Sequence, residues 1–134
     1  MIVDLATHFL NVDLEIYSTR DLQPLVRRLG RRVFVLYLGR EYGKYCAKLE
    51  VAKNTRTADF TIRALCRLIE ALPKPERSLW DTASVRSFSI GIQAGCHPNP
   101  CDVTIRPMTI QAVSALGSQI VLTIYPPEGG PPRK

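Results

Sequence analysis

Hydrophobic and polar residues alternate through the segment 9–17. Leu10, Val12, Leu14 and Ile16 fall on one side, and Asn11, Asp13 and Glu15 on the other. A period of two with one polar side predicts a half-buried strand. The period then changes: Leu22, Leu25, Val26 and Leu29 recur at the i, i+3, i+4, i+7 spacing of a one-sided helix. Pro24 is tolerated only in a first turn, so this helix is expected to begin near Asp21, with Ser18 and Asp21 available as caps. Gly30 stands where a left-handed stop is wanted.

Val33 to Leu38 is a continuous apolar run of strand formers and is expected to be a central strand. Gly39 to Lys44 is turn-like, and Tyr45 to Ala52 returns as an alternating strand. The pair reads as a hairpin with Arg40, Glu41 and Lys44 at its tip. Thr57 and Asp59 open a second helix whose apolar set is Ile62, Leu65, Cys66, Ile69 and Leu72, and Pro73 ends it. Pro75 followed by Glu76 predicts a short helical turn carrying Leu79 and Trp80. Phe88, Ile90, Ile92 and Ala94 alternate with polar or small residues as another half-buried strand. After a Pro-containing loop, Val103 and Ile105 mark a short strand. Met108 to Leu116 reads as a third helix stopped by Gly117, and Ile120 to Tyr125 as a final strand.

The expected class is α+β. The pattern predicts a mostly antiparallel sheet of about six strands with helices on one face, ferredoxin-like, in the order β-α-β-β-α-β-β-α-β. One recurrence supports it. Val26, Leu29, Gly30, Val33 and Val35 return at a constant offset of 87 as Val113, Leu116, Gly117, Ile120 and Leu122. This is either an internal duplication or the shared mechanics of a helix-Gly-strand turn. At 134 residues the chain fits one domain, expected over residues 1–126. The Pro/Gly-rich stretch 127–134 is expected to be a disordered tail.

Composition is ordinary for a globular protein, at 46% hydrophobic and 22% charged. No run approaches the ~18 uncharged apolar residues of a spanning helix, so no membrane role is expected. The start lacks a basic region followed by an apolar run, and the four cysteines are therefore expected as thiols in the cytoplasm. The net charge of +6 is concentrated: from Arg20 to Arg56 there are ten Lys or Arg against three acids.

Candidate chemistry is sparse. Cys96, His97 and Cys101 supply two thiols and an imidazole, but a structural zinc site needs a fourth ligand. Cys46, Cys66 and His8 belong to other elements, so no metal or other cofactor is expected. A Cys101–His97 nucleophile lacks an orienting third group. Asp13 and Glu15 read as the polar side of a strand rather than a catalytic pair. No Ser elbow or phosphate-cradling loop appears. The reading is a non-enzyme.

The basic region is the functional pointer. Arg27, Arg28, Arg31, Arg32, Arg40, Lys44 and Lys48 are the candidate partner-binding residues, best matched by a protein with an acidic surface. Tyr37, Tyr42 and Tyr45 are interleaved among them, so a nucleic-acid-binding module using Arg20–Arg56 is the alternative. The oligomeric state stays open.

The chain also resembles small bacterial proteins of unknown function. The likeness is carried by the acidic strand Asn11 to Tyr17, the segment Ser18 to Leu22, and Leu79-Trp80-Asp81 leading to Phe88–Ile92. Leu116-Gly117 and Thr123-Ile124-Tyr125 complete it. It spans about residues 9–126, and these are packing motifs, specific for fold and weak for function. Some such families are suspected of being toxin-immunity proteins, so the resemblance implies a binding role that neutralises a partner toxin. Nuclease inhibitors are commonly acidic, whereas this chain is basic. An immunity role here implies a partner with an acidic surface or cleft.

Overall fold

The computed structural model describes residues 5–53, 56–96 and 98–127. Five strands and four α-helices follow in the order β1 (His8–Ser18), α1 (Gln23–Leu29), β2 (Val33–Glu41), β3 (Lys44–Val51), α2 (Ala58–Glu70), α3 (Lys74–Asp81), β4 (Val85–Gln93), α4 (Pro107–Ala115) and β5 (Gln119–Tyr125). A 3-10 turn, Gly30–Arg32, joins α1 to β2. The class is α+β, with one mixed sheet in the order β2-β3-β1-β4-β5. β1 lies antiparallel between β3 and β4, β2 is antiparallel to β3, and β5 is parallel to β4.

The alternating segment forms β1, but a register shift between Phe9 and Asn11 leaves Leu10 exposed, and Phe9 packs against the core instead. Val12, Leu14 and Ile16 are fully buried. They meet Leu25 and Leu29 of α1, Ile62, Leu65 and Ile69 of α2, Trp80 of α3 and Val113 of α4 in one core. Among the described residues the helices thus cover one face of the sheet. α2 starts where the sequence said: the Thr57 hydroxyl accepts from the Phe60 amide at 3.1 Å, a side-chain N-cap. Both Leu-Gly stops are real turns, with Gly30 at φ 57° and Gly117 at φ 66°, conformations glycine adopts without a Cβ penalty.

Three expectations are corrected. The sheet has five strands rather than about six, because Val103 and Ile105 make no ladder. Instead they pack partly buried against the core, and the adjacent Arg106 amide donates to Asp59 at the start of α2. The helical turn after Pro73 is a full helix, α3, which carries an Arg77–Asp81 pair one turn apart. The third correction concerns β2. It stands at the edge of the sheet, not in its centre. A continuous apolar run marks a strand with apolar surroundings on both sides, and here those sides face solvent. Of the expected tail 127–134, residues 128–134 lie outside the described residues.

Candidate functional site

The α1–β2 corner carries the first four candidate residues. Arg27 and Arg28 sit in the last turn of α1, where cations complement the helix dipole. Arg28 reaches Glu76 of α3 at 3.6 Å. Arg32 folds back on its own helix, donating to the Leu29 carbonyl at 3.0 Å and the Arg28 carbonyl at 2.7 Å. Arg31 and Arg27 point outward with no ionic or hydrogen-bonding partner among the described residues.

Of the other three, Arg40 lies near the end of β2, and Lys44 and Lys48 lie on β3. Arg40 stacks 4.5 Å over the Tyr45 ring and donates to the Gly43 carbonyl. Lys44 donates to Ser84, and Lys48 reaches Glu41 at 3.5 Å. Eight residue-to-residue steps of strand part Arg32 from Arg40, about 26 Å at the usual rise. The basic candidates are therefore not one patch. They form two groups, one at each end of β2, with Lys48 between them on the side of the sheet away from the helices. The three tyrosines diverge too. Tyr45 faces the helix side, Tyr37 the opposite side, and Tyr42 stands 88% exposed at the hairpin tip with φ 54°. Tyr42 and Gly43, both at positive φ, make the tight two-residue turn that suits a twisted hairpin.

What sequence reasoning missed is the strand between the groups. Phe34, Val35, Leu36, Tyr37 and Leu38 are all more than a third exposed, with Phe34 at 57% and Leu36 at 51%. A register shift between Val35 and Tyr37 adds a bulge, and among the described residues β3 alone pairs with β2. The available signal was the pairing of an apolar run with arginines just before it and just after it.

The helix-free side of the sheet is polar at its centre. Asp13 stands opposite Glu50, and Glu15 opposite Lys48. Asn11 holds the two like charges together, donating to Asp13 at 3.0 Å and to Glu50 at 3.2 Å. Gly91 makes this fit, since a Cβ there would come within 2.7 Å of the Asn11 Oδ1. Burial, then the Glu50 and Glu15 charges, push the Asp13 carboxyl up to about 6, against a smaller opposing pull from Lys48. Towards the hairpin, Tyr17 donates to Glu41 at 3.0 Å, and its ring lies 6.4 Å from that of Tyr42. Burial first raises both the Tyr17 hydroxyl and the Cys46 thiol above their ordinary values.

Cys46 and Cys66 are buried, Cys96 is exposed and Cys101 half-buried, all as free thiols. His97 lies outside the described residues. Among the described residues no cluster of three or more His, Cys, Asp or Glu is arranged to hold a metal ion, and no helix is long and apolar enough to cross a membrane. No known family model, curated protein or solved structure matches this chain.

Proposed function

We propose that this chain is a non-catalytic protein-binding domain that engages an acidic partner through its basic residues, as an immunity protein would engage a toxin. The observation that carries the reading is β2: an apolar, solvent-facing edge strand with arginines at both ends. Monomeric proteins seldom leave such a strand open, and an apolar strip with a charged rim is how interfaces are commonly built. Affinity capture at low and at high salt tests it. A stoichiometric protein partner that is retained at low salt and released at high salt is expected. Finding no such partner ends the reading.

A nucleic-acid-binding role is the second reading, supported by the exposed arginines clustered in the last turn of α1 and the 3-10 turn after it. It expects steeply salt-dependent affinity for generic RNA or DNA, lost when Arg27, Arg28, Arg31 and Arg32 are reversed to Glu. The divergence of Tyr37, Tyr42 and Tyr45 weighs against a continuous stacking platform. The four free thiols suit the cytoplasm proposed for it. A ferredoxin-like assignment of β1–β4 rests on their two interleaved β-α-β units, with β5 added outside them.

A further inference from the structure

Resting on the protein-binding reading, we infer that β2 takes an extended segment of the partner as an added strand, and that this segment is apolar in its middle and acidic at both ends. Sheet edges are normally protected by a central charge, a proline, a bulge, a covering element or shortness, and of these β2 has only the bulge at Leu36. β2 runs nine residues, and from Val33 to Leu38 it carries neither charge nor proline. Its side chains prepare both faces for a neighbour. Phe34 and Tyr37 stand on the helix-free side, and Val35 and Leu38 on the helix side. A strand laid alongside would find apolar contacts above and below while its backbone completes the ladder.

Charge selects the occupant. Arg31 and Arg32 stand at one end of β2 and Arg40 at the other, while Lys44 on β3 reaches away from this edge to Ser84. Of the acids beside β2, Glu41 is already shared by Tyr17 and Lys48, and Glu50, opposite Phe34, is held by Asn11. A second copy of the chain is disfavoured in either direction. Antiparallel pairing centred on Leu36 sets Arg32 against the other copy's Arg40 twice over, with Arg31 facing a Glu41 already shared by Tyr17 and Lys48, and parallel pairing sets Arg31 and Arg32 against themselves. Like charges opposed across strands destabilise the pair. Acids at both ends of a foreign strand meet cations at both ends instead.

The test uses a synthetic peptide of alternating Val and Thr ended by Glu-Asp on both sides, compared with one ended by Lys-Lys. Hydrogen exchange of the full chain reports the contact. At up to about 1 mM of the acidic-ended peptide, the outward amides of β2 should exchange about tenfold more slowly, with β5 unchanged. The Lys-ended peptide should give no protection. Methylating alternate peptide amides should remove the effect without altering the protein. The triple change Arg31→Glu, Arg32→Glu, Arg40→Glu should weaken binding about tenfold or more. Protection indifferent to end charge, no protection of β2, or a dimer seen by sedimentation and dissolved by Leu36→Pro would each overturn the inference. A salt-sensitive partner that still binds a folded Leu36→Pro variant overturns strand addition while leaving the protein-binding reading intact. Absence of any salt-sensitive partner removes that reading itself.

Discussion

Each edge of the sheet is fed by a helix that stops at Leu-Gly: α1 through Leu29-Gly30 into β2, and α4 through Leu116-Gly117 into β5. The turns share a positive φ, yet their surroundings differ. At the second corner the Trp80 indole donates to the Leu116 carbonyl at 3.0 Å, and Arg86 donates to the Gly117 carbonyl at 2.9 Å. Arg86 also holds the carbonyls of Trp80 and Asp81. At the first corner Arg32 closes the turn from within, and the visitors are the Ala52 amide, donating to the Arg32 carbonyl at 2.9 Å, and Glu76 beside Arg28. The edges diverge accordingly. β5 also exposes apolar side chains, Leu122 at 59% and Ile124 at 65%, but it is flanked by uncharged Ser118 and Gln119 and by Pro126 and Pro127. The same local sequence gives a pinned, neutral edge in one place and a free, cationic edge in the other. What sets them apart arrives from elsewhere in the chain. Their pairings differ too, antiparallel for β2 and parallel for β5, and shared turn mechanics suffice to explain the recurrence.

Trp80→Ala should break the pinned corner most severely. It removes a fully buried indole together with its hydrogen bond, at about 3–5 kcal/mol, read as a large fall in thermal midpoint. Trp80→Phe keeps most of the volume and should recover much of that loss. Gly30→Ala and Gly117→Ala come next, each costing about 1–3 kcal/mol by placing a Cβ at positive φ. At Gly117 the Cβ would also meet Arg86 at 3.0 Å, whereas nothing lies within 4 Å at Gly30. Gly30 also sits at ψ −130°, outside the left-handed well, so denaturant melts should show comparable losses at the two corners, and a loss confined to Gly117 would say that crowding by Arg86 alone matters.

Asp13, on the strand between the edges, gives a control that favours neither. Its carboxyl keeps a proton up to about 6 in the folded chain, above its ordinary 3.8. The native state therefore binds more protons through that window, and stability should fall as pH rises from about 4 to about 6. Asp13→Asn should flatten that slope and stabilise the protein at pH 7.5 by about 1 kcal/mol, allowing for solvent screening. The smallest effect is expected from Arg31→Glu, within about 0.5 kcal/mol of unchanged stability, since this exposed side chain supports nothing in the fold. A larger loss in its melting curve would show that the cationic corner is structural.

The sequence made β1 and α2 legible because their patterns leave little choice: strict alternation in one, a Thr cap and a proline stop in the other. The Leu-Gly stops were legible because only glycine suits the turn. The position of β2 was not, since an apolar run reads the same whether a strand is covered on both sides or bare on both. Val103 and Ile105 misled for a related reason: they are apolar because they pack against the core, not because they join the ladder. The basic residues could be listed from the sequence, but not their division into two groups. That division follows from the length of an extended strand, which carries Arg40 away from Arg32.

β1 sits between β3 and β4, yet the ribosome makes it before either. At about 5–20 residues per second, its β4 neighbour follows by several seconds. Until then a strand with Val12, Leu14 and Ile16 along one side waits without its full complement of neighbours. Asn11, Asp13 and Glu15 on the other side act as gatekeepers that oppose stacking with other nascent chains. The strained carboxylate next to Glu50 is thus the residue of a safeguard: charge that protects the strand while it is alone becomes crowded once its neighbours arrive.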